Sequence, residues 1–283
     1  ADAAMFAAKE QGRARHVWFD DRLRERAVKR VSLESQIRRG IERDEFVMYY
    51  QPIADLRTGT WSGAESLARW CHPSDGVVGP DVFIPLAEET GLILPLGDAF
   101  FERTVTEVPE VTQADLPVAV NISPVQLSDP GIASRMRTVL AEHGVPASQL
   151  VLELTESSLI EGLETARPVL EELADAGFRL IIDDFGTGYS SIARLTELPV
   201  VGIKIDRSFT VRLGTDPAVE QVIAAIIDLA HALGLTVVGE GVETTYALDR
   251  LQQLGCDMVQ GYLLARPVPV ADAAEILRVP PAF

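Results

Sequence analysis

The chain has 283 residues, is 47% apolar and carries a net charge of −17, so it can bury one large core or two modest ones. The charge is uneven: residues 1–43 hold a surplus of four positive charges, and the remaining 240 residues sum to −21. So acidic a body argues against duplex nucleic acid or an anionic membrane as partner, and no apolar run approaches the ~20 residues that span a bilayer.

Cys71 and Cys256 lie far apart and form no CxxC pair. A disulfide framework and a thiolate zinc site are therefore not expected, and two buried free thiols in a reducing cytoplasm are. His16, His72, His143 and His231 show no ligand spacing, so any metal here would be oxygen-bound, which favours Mg²⁺, Mn²⁺ or Ca²⁺.

In chain order, residues 1–11 have helical spacing and 13–19 could form a short strand. The segment Asp21 to Arg43 places Val28, Val31, Leu33, Ile37 and Ile41 at roughly helical intervals, which predicts a charged connecting helix. Short apolar runs then recur, predicting strands at 46–51, 61–67, 117–122, 150–154, 178–183, 200–205, 235–239 and 257–262. Helices are expected at 81–108, 130–143, 158–176, 216–233 and 243–254. The link from Gln51 to Trp61 is too short for a helical crossover, so the first two strands should be antiparallel neighbours. The other units read as βα repeats. The expected fold is an α/β modified TIM (β/α)8 barrel with one antiparallel strand near the start, with a doubly wound open sheet as the other option.

One stretch organises the rest. Phe178 to Ile182 is mostly apolar without alternation, as in a strand buried on both faces. It ends in adjacent carboxylates, Asp183 and Asp184, followed by a turn rich in glycine and hydroxyls, Phe185 to Ser191. Two acids at the mouth of a buried strand repel each other and lose hydration, so a cation between them is expected. In isolation a helix N-cap and first-turn acid, with Asp184 before a helix at Tyr189, is the better explanation. The other strands repeat the pattern, with Gln51, Glu65, Asn121, Glu153, Lys204, Asp206, Glu240, Glu243 and Gln260 at or near strand ends. TIM barrels build active sites at that rim, and a lysine within an apolar strand is seldom buried without a partner.

At these residues the chain resembles the EAL family of bacterial cyclic di-GMP phosphodiesterases, from about Ser32 to Pro269. The matching segments are Gln51-Pro-Ile, Glu65-Ser-Leu-Ala-Arg69-Trp, Pro85-Leu-Ala-Glu-Glu-Thr-Gly-Leu, Asn121-Ile-Ser-Pro, Glu153-Leu-Thr-Glu156, Asp183-Asp-Phe-Gly-Thr-Gly-Tyr-Ser-Ser, Lys204-Ile-Asp-Arg-Ser-Phe, Glu240-Gly-Val-Glu243 and Gln260-Gly-Tyr. Serine replaces the usual alanine inside the name-giving triplet, Gly239 the alanine usual before Glu240, and Cys71 the basic residue usual after Arg-Trp. The opening Ala1 to Arg13 resembles the tail of a GGDEF diguanylate cyclase domain without its signature. The resemblance thus implies a fragment of a GGDEF–EAL protein: 1–19 a GGDEF remnant, 20–43 the connecting helix and 44–283 the EAL domain.

The same resemblance implies hydrolysis of cyclic di-GMP to linear pGpG with two divalent cations, Mg²⁺ or Mn²⁺, and inhibition by Ca²⁺. Glu65, Asn121, Glu153 and Asp183 would hold one ion, and Asp183, Asp184 and Glu240 the other. Lys204 would touch the attacking water and Glu240 would be the candidate general base. Gln51, Arg69, Asp206, Glu243 and Gln260 would line the substrate, with Arg69 able to fork onto a phosphate. Glu156 would anchor the loop Phe185, Gly186, Thr187, Gly188, Tyr189, Ser190 and Ser191. A homodimer is implied too, in the cytoplasm with no membrane contact from this fragment, although a longer protein could be membrane-anchored. The competing readings are an EAL domain that binds cyclic di-GMP as a receptor and a purely structural domain.

Overall fold

The computed structural model describes residues 21–112, 116–188 and 195–282, without the side chains of 21–27, 29 and 157–165. The predicted elements at 1–11 and 13–19, the segment that resembles a GGDEF tail, and Tyr189, Ser190 and Ser191 fall outside that range. The strands are β1 (Phe46–Asp55), β2 (Thr60–His72), β3 (Gly76–Val78), β4 (Val118–Ile122), β5 (Leu150–Thr155), β6 (Arg179–Phe185), β7 (Gly202–Ile205), β8 (Thr236–Gly239), β9 (Met258–Val259) and β10 (Val268–Pro269).

The ring runs β1-β9-β8-β7-β6-β5-β4-β2 and closes through β1–β2 pairing. Its pairs are parallel except those of β1, which is antiparallel to both neighbours. The expected barrel with one antiparallel strand is what forms, and closure removes the open edges of a flat sheet. The tight β1–β2 link explains the inversion. Asp55 Oδ1 accepts the N–H groups of Arg57 and Thr58 at 2.8 Å each, and Gly59 takes φ 66°.

β2 runs past its predicted end to His72 and pairs beyond the ring with β3, while β10 pairs with the outer part of β1. Cys71 lies on this extension and is exposed; Cys256 is buried. The expectation of two buried thiols therefore fails at Cys71. Side chains alternate along a strand, and Trp70 and His72 take the inward positions.

The single helix predicted over 81–108 is two, Pro80–Thr90 and Ile93–Val111. Gly91 at φ 74° ends the first by donating its N–H to the Glu88 carbonyl, a left-handed stop that glycine adopts without steric cost. The predicted connecting helix spans Asp21–Glu42. Ile37 on its inner face is fully buried, and Gly40 sits so near Phe46 that an added Cβ would lie 2.9 Å from the ring. Three short helices escaped sequence reading: Pro124–Leu127, Arg207–Thr210 and Val270–Leu277. None is long enough to show periodicity clearly.

The main core lies between the strands and the helices packed around them. A second, small cluster of Ala119, Val151 and Ile181 is separate from it. These residues stand two positions before Asn121, Glu153 and Asp183, so by strand alternation they face the same way, into the barrel. Gly63 and Gly202 hold the same relation to Glu65 and Lys204. The barrel is thus plugged by small or apolar side chains, and the polar layer rests on that plug.

Candidate active site

The polar layer centres on Lys204, which is 1% exposed. Its Nζ lies 2.7 Å from Glu240 Oε1, 2.8 Å from Glu153 Oε2, 3.2 Å from Glu65 Oε2 and 3.5 Å from Asp183 Oδ1. Four carboxylates from different segments therefore share one ammonium. Burial disfavours the charged lysine, but Asp183, Glu153, Glu240 and Glu65 outweigh it and hold the ammonium well above the usual lysine range.

Glu65 is fixed on both oxygens. Asn121 Nδ2 donates to Oε1 at 2.7 Å, and Gln260 Nε2 donates to Oε2 at 2.8 Å beside Lys204. Burial would raise its pKa, yet Lys204 and these donors pull it below the usual carboxylate range. Gln260 also donates to Gln51 Oε1 at 3.0 Å, and Gln51 donates to the Ala265 carbonyl at 3.0 Å. Gln51 and Glu65 face each other in the β1–β2 register, so the inverted hairpin delivers both to one place. Ser66, which replaces the family's usual alanine, donates its hydroxyl to the Ala119 carbonyl at 2.9 Å and leaves no polar group unsatisfied there.

β6 explains how two consecutive aspartates serve one site. Its pairing with β7 slips between Ile182↔Ile203 and Phe185↔Ile205, which inserts one extra residue at Asp183–Asp184. Asp184 takes φ 55° and donates its N–H to Asp183 Oδ1 at 2.9 Å. In a regular strand adjacent side chains point to opposite faces; this bulge turns both carboxylates toward the rim. Ligand oxygens of Asp183, Asp184 and Glu240 lie within 4.8 Å of one another. One ammonium cannot balance this group. Burial, with Asp183 and Asp206 nearby, raises Asp184 to about 6; burial, partly offset by Lys204, raises Glu240 to about 8. Glu153 is pushed well up by burial and by Glu65, and Asp183 is raised by burial.

The layer opens into a cleft of about 700 Å³ lined by Gln51, Glu65, Asn121, Asp183, Asp184, Glu240, Glu243 and Gln260 among others. Lys204 and Glu153 are buried and do not themselves line it. Asp206 sits beside Asp184 and caps the helix Arg207–Thr210, its Oδ1 accepting the Ser208 N–H at 3.0 Å. Arg69 is placed otherwise: its guanidinium donates to the Ala68 carbonyl at 2.8 Å and lies over the Tyr49 ring, outside the lining. Glu156 is 1% exposed and its Oε2 accepts the N–H groups of Gly186 at 2.8 Å and Gly188 at 3.2 Å, tying down the start of the loop after the aspartates. Sequence reasoning missed Arg207, Tyr262 and the apolar wall of Pro80, Ile84 and Pro85. Arg207, Tyr262 and Pro85 lie within the matching segments and could have been found there, whereas the place of Pro80 and Ile84 in the cleft depends on how helices cross its rim.

Residues 34–267 match the EAL domain family. The chain belongs to that family. Among curated relatives, this EAL domain is 38% identical over 272 residues to the bifunctional diguanylate cyclase/cyclic di-GMP phosphodiesterase MucR of Pseudomonas aeruginosa, covering 95% of this chain and 40% of that protein. It is 38% identical over 281 residues to the cyclic di-GMP phosphodiesterase NbdA of the same organism, covering 98% of this chain and 36% of that protein. The chain thus spans well under half the length of these relatives. Among solved structures, a MucR phosphodiesterase in complex with c-di-GMP superposes with a TM-score of 0.81 at 38% identity, over 84% of this chain and 98% of that one. The EAL enzyme Bd1971, bound to cAMP and cyclic-di-GMP, gives 0.85 at 31% identity, over 89% and 69%.

Proposed function

We propose that this EAL domain is a metal-dependent phosphodiesterase that hydrolyses one phosphodiester linkage of cyclic di-GMP to give linear pGpG. The observation that carries it is the cluster of Asp183, Asp184 and Glu240 beside the Lys204 layer. Its donors are all oxygen, its oxygens converge, and the carboxylates of Asp184 and Glu240 are raised in pKa by burial and then by the acids beside them. Such a site fits hard divalent cations, Mg²⁺ or Mn²⁺, with Ca²⁺ as an unproductive substitute.

Glu65, Asn121, Glu153 and Asp183 would hold one ion and Asp183, Asp184 and Glu240 the other. Bound there, two cations would neutralise the phosphate oxygens and make water a stronger acid. Asn121 commits its nitrogen to Glu65, which leaves its carbonyl oxygen as the donor to a metal. Lys204 would orient the attacking water and Glu240, whose carboxylate is raised to about 8, would accept its proton. Gln51, Asp206, Glu243 and Gln260 would contact or support the nucleotide, and Arg69 would reach it only by leaving Ala68 and Tyr49. Residues 1–19 would be the end of a GGDEF domain, 20–43 a connecting helix and 44–283 the catalytic unit, working as a cytoplasmic homodimer.

The test is chromatography of cyclic di-GMP incubated with the protein in Mg²⁺ or Mn²⁺, in Ca²⁺ and in chelator. Production of pGpG confined to Mg²⁺ and Mn²⁺ is expected. Intact nucleotide that binds tightly in every condition would identify a receptor instead.

Metal affinity should depend on pH with a definite sign. Asp184 and Glu240 titrate above the usual carboxylate range, so without metal they hold protons in the folded state that the unfolded chain has released. For these groups stability falls as pH rises from about 4 to 8. Cations compete with those protons. Mg²⁺ should bind more tightly, and raise Tm more, at pH 8 than at pH 6, and calorimetry in two buffers should register proton release. Flat affinity with no released protons would contradict the charge assignment.

Glu156→Ala should lower kcat/KM and metal affinity several-fold without deleting a ligand, because the Gly186 and Gly188 N–H groups lose a charged acceptor. Unchanged kinetics and Mn²⁺ affinity would rule out its role as the loop's anchor.

A further inference from the structure

A cyclic dinucleotide carries two phosphates, and a single metal cluster neutralises only the one being cleaved. The second must lie elsewhere in a cleft whose other described lining residues are apolar, acidic or neutral polar. Among the described lining residues Arg207 is the one basic side chain.

Its placement is built. Arg207 opens the helix Arg207–Thr210, directly after the capping residue Asp206. Its stem lies against Gly241, whose φ is 66°; a Cβ added at Gly241 would sit 2.5 Å from Arg207 Cβ. That close approach, open only to a residue without a side chain, seats the arginine stem against the segment between Glu240 and Glu243. The side chain is exposed, and no described carboxylate lies within ion-pair distance of it. Its neighbours behave differently: Arg212 pairs with Asp216, and Arg250 with Glu220. A guanidinium on an acidic rim, with no ion-pair partner among the described residues, offers its planar fork of donors to a phosphate. Arg69 is the contrasting case, committed to Ala68 and Tyr49 on the β1–β2 side.

We infer that Arg207 binds the phosphate of the cyclic dinucleotide that is not cleaved, and so selects a substrate with two phosphates over a simple phosphodiester. This rests on the phosphodiesterase reading above. The test compares wild type, Arg207→Ala and Arg207→Lys in two ways. The first is calorimetric binding of cyclic di-GMP in Ca²⁺. The second is steady-state hydrolysis of cyclic di-GMP and of bis(p-nitrophenyl) phosphate, which has one phosphate, in Mn²⁺.

For Arg207→Ala, binding should weaken roughly 10- to 100-fold, the usual range for losing a charged hydrogen bond. The loss should appear in KM rather than kcat, and should exceed any loss on the one-phosphate substrate at least tenfold. Lysine should restore part of it, since it keeps the charge but not the fork. Equal losses on both substrates, or unchanged cyclic di-GMP affinity beside a wild type that binds well, would overturn the inference. A wild type that binds but does not cleave would instead overturn the phosphodiesterase reading, and the calorimetry would still decide Arg207. A wild type that neither binds nor cleaves would overturn both.

Discussion

Glu65→Gln should reduce cyclic di-GMP hydrolysis at least about a thousandfold at saturating Mn²⁺, the scale expected when a group that organises the reacting centre is lost. The substitution is nearly isosteric, so the effect is one of charge and polarity. Glu65 is acceptor-only and takes hydrogen bonds from Asn121 on one oxygen and from Gln260 and Lys204 on the other. A glutamine must turn its NH₂ toward one of those donors, and either choice sets donor against donor. The donors on that side then shift, Asn121 in one case or Gln260 and the ammonium in the other, and the metal site loses one carboxylate charge as well. The check is single-turnover hydrolysis beside a Mn²⁺ titration and a thermal melt. Folded protein with both turnover and Mn²⁺ affinity depressed is the expected result. Turnover within tenfold of wild type would show that Glu65 is not needed at the metal centre.

Lys204→Met should have the largest effect on stability and a comparable one on activity. Removing one partner of a buried ion pair leaves uncompensated charge and costs about 3–5 kcal/mol, and here four carboxylates lose the same partner. The loss should depend on pH. The abandoned carboxylates take up protons as pH falls, so urea denaturation should show a smaller deficit at pH 5 than at pH 8. Saturating Mn²⁺ should recover more stability in the variant than in wild type, because the ions supply the missing charge. Adding Glu153→Gln should recover part of the stability, since it removes one of the stranded charges, and none of the turnover. A deficit independent of both pH and metal would mean that the lysine acts through packing alone.

Much of this site is legible in the sequence for a simple reason. A carboxylate or lysine inside an apolar strand is costly unless paired, so Glu65, Glu153, Asp183 and Lys204 stand out wherever they occur. The antiparallel first pair is legible too, because a four-residue turn with Gly59 cannot carry a crossover. Arg69 and Arg207 show the limit. Both are arginines near strands that bear site residues, and nothing local tells them apart. Their placement is settled by the pairing around them: the cross-strand Tyr49, with the adjacent Ala68 carbonyl, holds the one away from the cleft lining, and the distant Gly241 lets the other reach the rim.

By itself the sequence determined the chain of strands and helices, the inverted first strand, the polar residues that had to find partners and the family they resemble. These follow from local rules, namely turn length, hydrophobic period and the cost of burying charge. The tertiary structure decided the break at Gly91, the exposure of Cys71, the bulge that turns Asp183 and Asp184 to one rim, and the convergence of four carboxylates on one ammonium. Apart from the stop at Gly91, which is a local left-handed cap, these depend on register between strands. Register is set only when the ring closes, because the small residues within the barrel allow a single stacking of its layers.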